Sequence, residues 1–185
     1  MALTIADLEK LQHLYPEHRL ELQDGTIAIM SPSDITASLI GAEFSRLLGN
    51  WVRPRKLGFV FDASGGFRSA AGDLTAPDVS YVSRTRLTRV PRSYGDVVPD
   101  LVVEVKSSTD RVKLLEAKLE TYLELGAQVG LLIDPDERTV RVYRTLATPR
   151  TLAGDAVLEL PELLPGFSLP IAQLWLVEYD SFDEV

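Results

Sequence analysis

The stretch Asp100-Leu101-Val102-Val103-Glu104-Val105-Lys106-Ser107 (DLVVEVKS) decides how the chain is read. Successive side chains of a β-strand point to opposite sides. One side therefore carries Leu101, Val103 and Val105, and the other carries Asp100, Val102, Glu104 and Lys106. Leu-Val-Val ahead of Glu104 marks a buried central strand, where a charge is seldom placed without a use. Glu104 and Lys106 stand roughly 6–7 Å apart along such a strand, within reach of one point in a cleft. By spacing alone the pair also fits a solvated strand face.

Outward from this strand the pattern alternates sheet and helix. Upstream, LGFVFDASGGFRSAAGDLTAPDVSYVS reads as strand, Gly-rich turn, strand, turn, strand, with Asp78 opening the last. Before it, Leu39, Ile40, Phe44, Leu47, Leu48 and Trp51 recur at helical spacing after a Ser33 or Asp34 cap, and Pro54 and Gly58 close that helix. RLELQDGTIAIMS alternates about Asp24-Gly25, a hairpin signal, and Thr4 with Asp7 starts a helix to about Leu14. Downstream, Asp110 can cap a helix running to about Leu125 and stopped by Gly126. QVGLLID and RTVRVYR are strands joined by the turn at Asp134-Pro135-Asp136, and short strands with a short helix near Ile171 to Leu176 complete the chain. The order predicts an α/β fold of the α+β kind. A mixed β-sheet is flanked by α-helices, with an N-terminal helix and hairpin, in one domain over residues 1–185.

Composition narrows the function classes. With 45% hydrophobic residues the chain can bury a sizeable core, and no run approaches the roughly 18 apolar residues of a membrane span. The absence of cysteine removes disulfides, thiol catalysis and thiolate metal sites. MALTIADLEK has no apolar signal core, so a cytoplasmic location is expected. The net charge of −8 argues against a phosphate-bearing partner, but seven acids and no Lys or Arg lie between Asp155 and Val185. That leaves residues 1–154 near −1, from −8 less −7. Within them, Arg84, Arg86, Arg89 and Arg92 form a segment without acids that can clamp phosphates or merely be a solvated loop. Arg68 is a second, weaker cation of the same kind.

Two carboxylates and a main-chain carbonyl can hold a hard divalent ion that keeps some of its waters. Asp78 and Glu104 supply such carboxylates, and Lys106 can orient or deprotonate a water or screen a phosphorane-like transition state. At about 100° per residue, Lys118 falls on the flank of its helix beside Tyr122, pointing along the sheet or out to solvent. Asp100 reads as a rim or structural residue, Asp134 and Asp136 as turn residues, and His13 and His18 as surface or packing residues.

The segments RLELQDGTIAIMSP, GFRSAAGDLTAPDVSYVS, PDLVVEVKSSTDR, EAKLETYLELGAQVGLLIDPDERTVRVYR and LPGFSLPIAQLW follow in order the pattern of a known family. The chain resembles the Uma family of restriction-endonuclease-like proteins, within the PD-(D/E)XK nuclease superfamily, over nearly its whole length. The resemblance implies a restriction-endonuclease-like fold and a Mg²⁺-dependent DNA endonuclease, with Mn²⁺ as a substitute. It makes Asp78, Glu104 and Lys106 the catalytic set, with Asp78, Glu104 and the Val105 carbonyl on the metal. It adds Glu21 of the hairpin and Lys118 of the helix to the same site. Relatives often carry a His near Thr36, and no role of that His transfers here. A homodimer is expected, because many one-domain cutters need two sites to break a duplex, with the apolar stretch Leu163 to Leu176 as part of an interface or folded onto its own core. The competing expectations are a non-catalytic nuclease-fold domain for binding or assembly and an enzyme acting on a small phosphorylated ligand.

Overall fold

The computed structural model describes residues 2–175. Its helices are α1 (Ile5–Leu14), α2 (Ile35–Arg55) and α3 (Val112–Glu124). The strands are β1 (Arg19–Gln23), β2 (Thr26–Met30), β3 (Gly58–Asp62), β4 (Phe67–Arg68), β5 (Leu74–Thr75), β6 (Val79–Ser83) and β7 (Leu101–Val105). Beyond α3 come β8 (Val129–Asp134), β9 (Thr139–Tyr143), β10 (Arg150–Ala153), β11 (Val157–Glu159) and β12 (Ser168–Pro170), then a 3-10 turn at Ile171–Leu174.

The main sheet has six strands in the order β10-β9-β8-β7-β6-β3, and only β7 and β8 pair in parallel. That pair brackets α3, since a parallel return needs a crossover. Alternation along β7 divides the interior in two. Leu101, Val103 and Val105 meet α2 and the C-terminal segment in the larger core. Val102 meets Leu119, Tyr122 and Leu123 of α3 in a smaller one. Glu104 therefore lies on the α3 side of a strand whose every residue is buried.

Local chemistry sets the ends of the helices. Thr4 and Asp7 exchange hydrogen bonds in a capping box ahead of α1. The Asp34 carboxylate caps α2 by accepting the Ala37 N–H at 2.8 Å, and it also accepts the Ser108 N–H at 2.7 Å. This second bond ties the start of α2 to the loop after β7. Asp110 does not cap α3 as expected: it accepts the Ser107 N–H and hydroxyl, and Arg111 precedes the helix without a side-chain cap. The buried stripe of α2 is Ala37, Ile40, Phe44, Leu48 and Val52, whereas Leu39 points outward.

The N-terminal hairpin forms its own antiparallel sheet, β2-β1-β5-β4. Leu22 of β1 pairs with Leu74 of β5, and β5 runs directly into Pro77-Asp78. Glu21 is thus carried to the entrance of β6. The stretch from Leu163 folds inward: Leu164, Phe167, Leu169, Ile171 and Leu174 are all buried in the larger core. They are used by the chain's own interior and do not form an exposed interface, while Leu176 lies outside the described residues. No described helix is long and apolar enough to cross a membrane.

Candidate active site

β6 and β7 pair antiparallel with Val79 opposite Val103, so one further step sets Asp78 opposite Glu104. Facing residues on one side of such a pair have Cβ atoms roughly 4.5–5.5 Å apart. Pro77, which has no N–H, sits where the ladder stops. There the Asp78 carboxylate itself accepts the Val105 N–H at 2.8 Å. A side chain thus replaces the missing strand partner, and the two acids are held side by side.

α3 closes over Glu104. The Lys118 ammonium lies 3.0 Å from Glu104 Oε1 and 3.6 Å from Glu21 Oε2. Arg19 reaches Glu21 at 3.5 Å and the Ala76 carbonyl at 3.3 Å. One turn beyond Lys118, the buried Tyr122 hydroxyl donates to Thr75 Oγ1 at 2.7 Å. Glu21, Asp78, Glu104 and Lys118 are therefore brought together. Arg19 and Tyr122 were not singled out from the sequence, although Arg19 stands two residues before Glu21 on one strand face.

The electrostatics follow from burial and crowding. Burial pushes the Glu104 carboxyl up to about 7, with Asp78 and Glu21 adding to the rise and Lys118 opposing it. Asp78 is also raised, chiefly by burial, against the Val105 N–H and the charges of Lys118 and Arg19. Lys118 shifts up: burial alone lowers it, but Glu104 and Glu21 outweigh that and keep it protonated. Three carboxylates face two cations, so negative charge is in excess.

Lys106 is not part of this group. It follows the end of β7, its N–H donates to the Ile133 carbonyl at 2.8 Å, and its ammonium pairs with Asp136 after β8. Asp134, expected in a turn, is the buried last residue of β8, and its carboxylate holds the turn that follows by accepting the Asp136 and Glu137 N–H groups. Asp100 is structural: wholly buried, it accepts from the Ser83 N–H, Arg86 and Gln128. The arginine segment does not join the acids either. Arg84 follows the far end of β6, about 20 Å from Asp78 by strand rise. Arg86 turns to Asp100, and Arg92 folds back to line a separate cavity with Phe61, Ser64 and Arg68. Arg68 binds Glu9 at 2.9 Å and fastens α1 to β4.

Glu104 Oε1 fits a cation. It is buried and, despite the nearby ammonium, receives no well-directed hydrogen bond among the described residues. No group of three or more His, Cys, Asp or Glu side chains among the described residues is spaced to hold a metal. A site offering two carboxylates suits Mg²⁺, which binds through one or two carboxylates and keeps several waters. From Asp78 a cleft of ≈ 720 Å³ opens along Arg19, Ser33, Ser38, Gly41 and Arg46.

Comparison with known proteins supports this reading of the fold. A structure described as a "putative nuclease belonging to DUF820" from Anabaena variabilis is similar to this chain with a TM-score of 0.81 and 25% identity, covering 94% of this chain and 97% of that one. No curated protein matches the chain. A family model, Uma2, described as "Putative restriction endonuclease", matches residues 5–172. With almost the whole fold inside that match, the chain belongs to the Uma2 family.

Proposed function

We propose that the chain is a divalent-metal-dependent endonuclease hydrolysing phosphodiester bonds in DNA. The observation that carries this reading is the Asp78–Glu104 pair, Glu104 buried and Asp78 half-buried, beneath Lys118 where β6 and β7 meet. Asp78, Glu104 and the Val105 carbonyl would hold Mg²⁺, or Mn²⁺ in its place. Bound there, such an ion polarises the scissile phosphate and acidifies a coordinated water. Lys118, kept charged by Glu104 and Glu21, counters the negative charge that grows on the phosphate oxygens as water oxygen bonds to phosphorus and the leaving oxygen departs. Glu21 orients Lys118, and Arg19 in turn holds Glu21. Lys106 stays with Asp136 and takes no part in this scheme.

The test is nicking of supercoiled DNA with Mg²⁺ or Mn²⁺. Asp78→Asn and Glu104→Gln should each lower the rate by at least about 100-fold, the scale of losing one charge-stabilising group. Undiminished cutting by either folded variant would sink the assignment of the site.

A further inference from the structure

Away from the acids, a second cavity of ≈ 460 Å³ opens between the C-terminal half of α2, β3 and the loop after β6. Gly49, Val52, Phe59, Arg53, Lys56 and Arg84 line it, and no acid does. None of its three cations forms an ion pair among the described residues. Basic residues at a helix C-terminus also offset the helix dipole, which accounts for Arg53. It does not account for Arg84, which arrives from another element, its N–H fixed to the Leu57 carbonyl at 2.8 Å.

The basic cavity and the cleft at Asp78 lie along one flank of α2. Ser38, Ala42, Ser45, Gly49, Arg53 and Lys56 recur every three or four residues, and the first four are small. A Cβ at Gly49 would meet nothing within 4 Å, so the flank there borders open space. β3 runs alongside, with Asp62 at the acidic cleft and Gly58 at the basic cavity. As the last strand of its sheet, it leaves one backbone edge without a strand partner in that sheet. From Ser38 to Arg53 the helix rises about 22 Å.

We propose that this α2–β3 flank is the track for the sugar–phosphate backbone of the substrate, gripped at its far end by Arg53, Lys56 and Arg84. The proposal rests on the nuclease reading and extends it from the reacting bond to the DNA around it. Cations without neighbouring carboxylates favour phosphates, and a flank of small residues lets a backbone approach. Contacts of this kind position a nucleic acid without reading its sequence. The spacing corresponds to about seven base-pair steps at 3.4 Å each.

Binding of a fluorescent duplex of about 20 base pairs, long enough to span the track, is followed by anisotropy in EDTA, so that no cutting occurs. The variant Arg53→Ala/Lys56→Ala/Arg84→Ala should bind at least about tenfold more weakly. Its plot of log K against log salt should be shallower by about 2.7, the contribution of three phosphate contacts. Gly49→Leu adds bulk to the open flank while raising helix propensity. It should fold and still bind more weakly. Arg150→Ala, on β10 at the opposite edge of the main sheet, serves as a control with unchanged slope. A wild-type slope in the triple variant, full affinity in Gly49→Leu, or no DNA binding by the wild type overturns the track. Wild-type protein that shows the expected slope yet cuts nothing with Mg²⁺ removes the nuclease reading and leaves the track standing. Cutting that persists with an unaltered slope does the reverse.

Discussion

Lys118 is 3.0 Å from one buried carboxylate and 3.6 Å from another, and Lys106 pairs with an exposed Asp136 instead. A lysine between two buried acids has little freedom to leave, because each acid would then be buried without a partner. Lys118→Ala should therefore lower nicking by at least about 100-fold, while Lys106→Ala should change it by less than about threefold. Lys118→Arg separates charge from fold: partial recovery of cutting relative to Lys118→Ala ties the loss to the missing cation. The opposite ranking of the two alanine variants would return the catalytic lysine to the strand. Asp100 offers a stability test at the same scale. Burial raises its carboxyl, but the Ser83 N–H, Arg86 and Gln128 outweigh burial and hold it below its ordinary value. Asp100→Ala should cost about 3 kcal/mol in urea unfolding, since it leaves those donors unpaired in the interior. Strand parity made Glu104 legible and predicted Lys106 beside it. Lys106 does line a cavity with Val112 and Glu116 of α3, but Asp136, from the turn after β8, holds its ammonium, a partner that strand parity does not reveal. Helical geometry alone made Lys118 legible only as a flank residue, because which way a flank points depends on what packs beneath it. The family resemblance is what assigned it to the site.

The cap of α2 does two jobs, starting the helix and joining it to the loop after β7 through the Ser108 N–H. The Ala37 and Ser108 N–H groups hold the Asp34 carboxyl below its ordinary 3.8. A depressed carboxylate contributes fully above its unfolded value and loses that contribution as pH falls through the lower, folded one. Amide exchange at Ala37 and Ser108, corrected for intrinsic pH dependence, should therefore quicken below about pH 4. Asp34→Asn, which keeps a capping oxygen, should remove this pH dependence, and Asp34→Ala should quicken exchange at every pH. Equal exchange in wild type and Asp34→Ala would mean that the cap contributes nothing. The long elements were legible because their signals are local: the Thr4–Asp7 box, the Asp24-Gly25 turn and the stripe of α2. β4 and β5 span two residues each, too short for any periodicity to show. The pairing of β5 with β1, which brings Glu21 to Asp78, depends on contacts distant in sequence.

Across the molecule, the acid cluster opposes stability. Glu21, Asp78 and Glu104 converge against Lys118 and Arg19, in a chain that already carries a net charge of −8. A cation that binds only the folded form should relieve the local excess and stabilise the fold by mass action. At ten times its dissociation constant the gain is about 1.4 kcal/mol, roughly 3–6 °C in Tm for a chain of this size. Salt also screens the general repulsion of an acidic protein, so the comparison requires NaCl at matched ionic strength. Thermal unfolding should show Mg²⁺ and Mn²⁺ raising the wild-type midpoint beyond the NaCl control. That excess should vanish in Glu104→Gln and persist in Lys106→Ala and in Arg53→Ala/Lys56→Ala/Arg84→Ala. An equal excess in wild type and Glu104→Gln would place the bound ion elsewhere on the acidic surface. The readout is independent of cutting, so it separates occupancy of the Asp78–Glu104 pair from turnover.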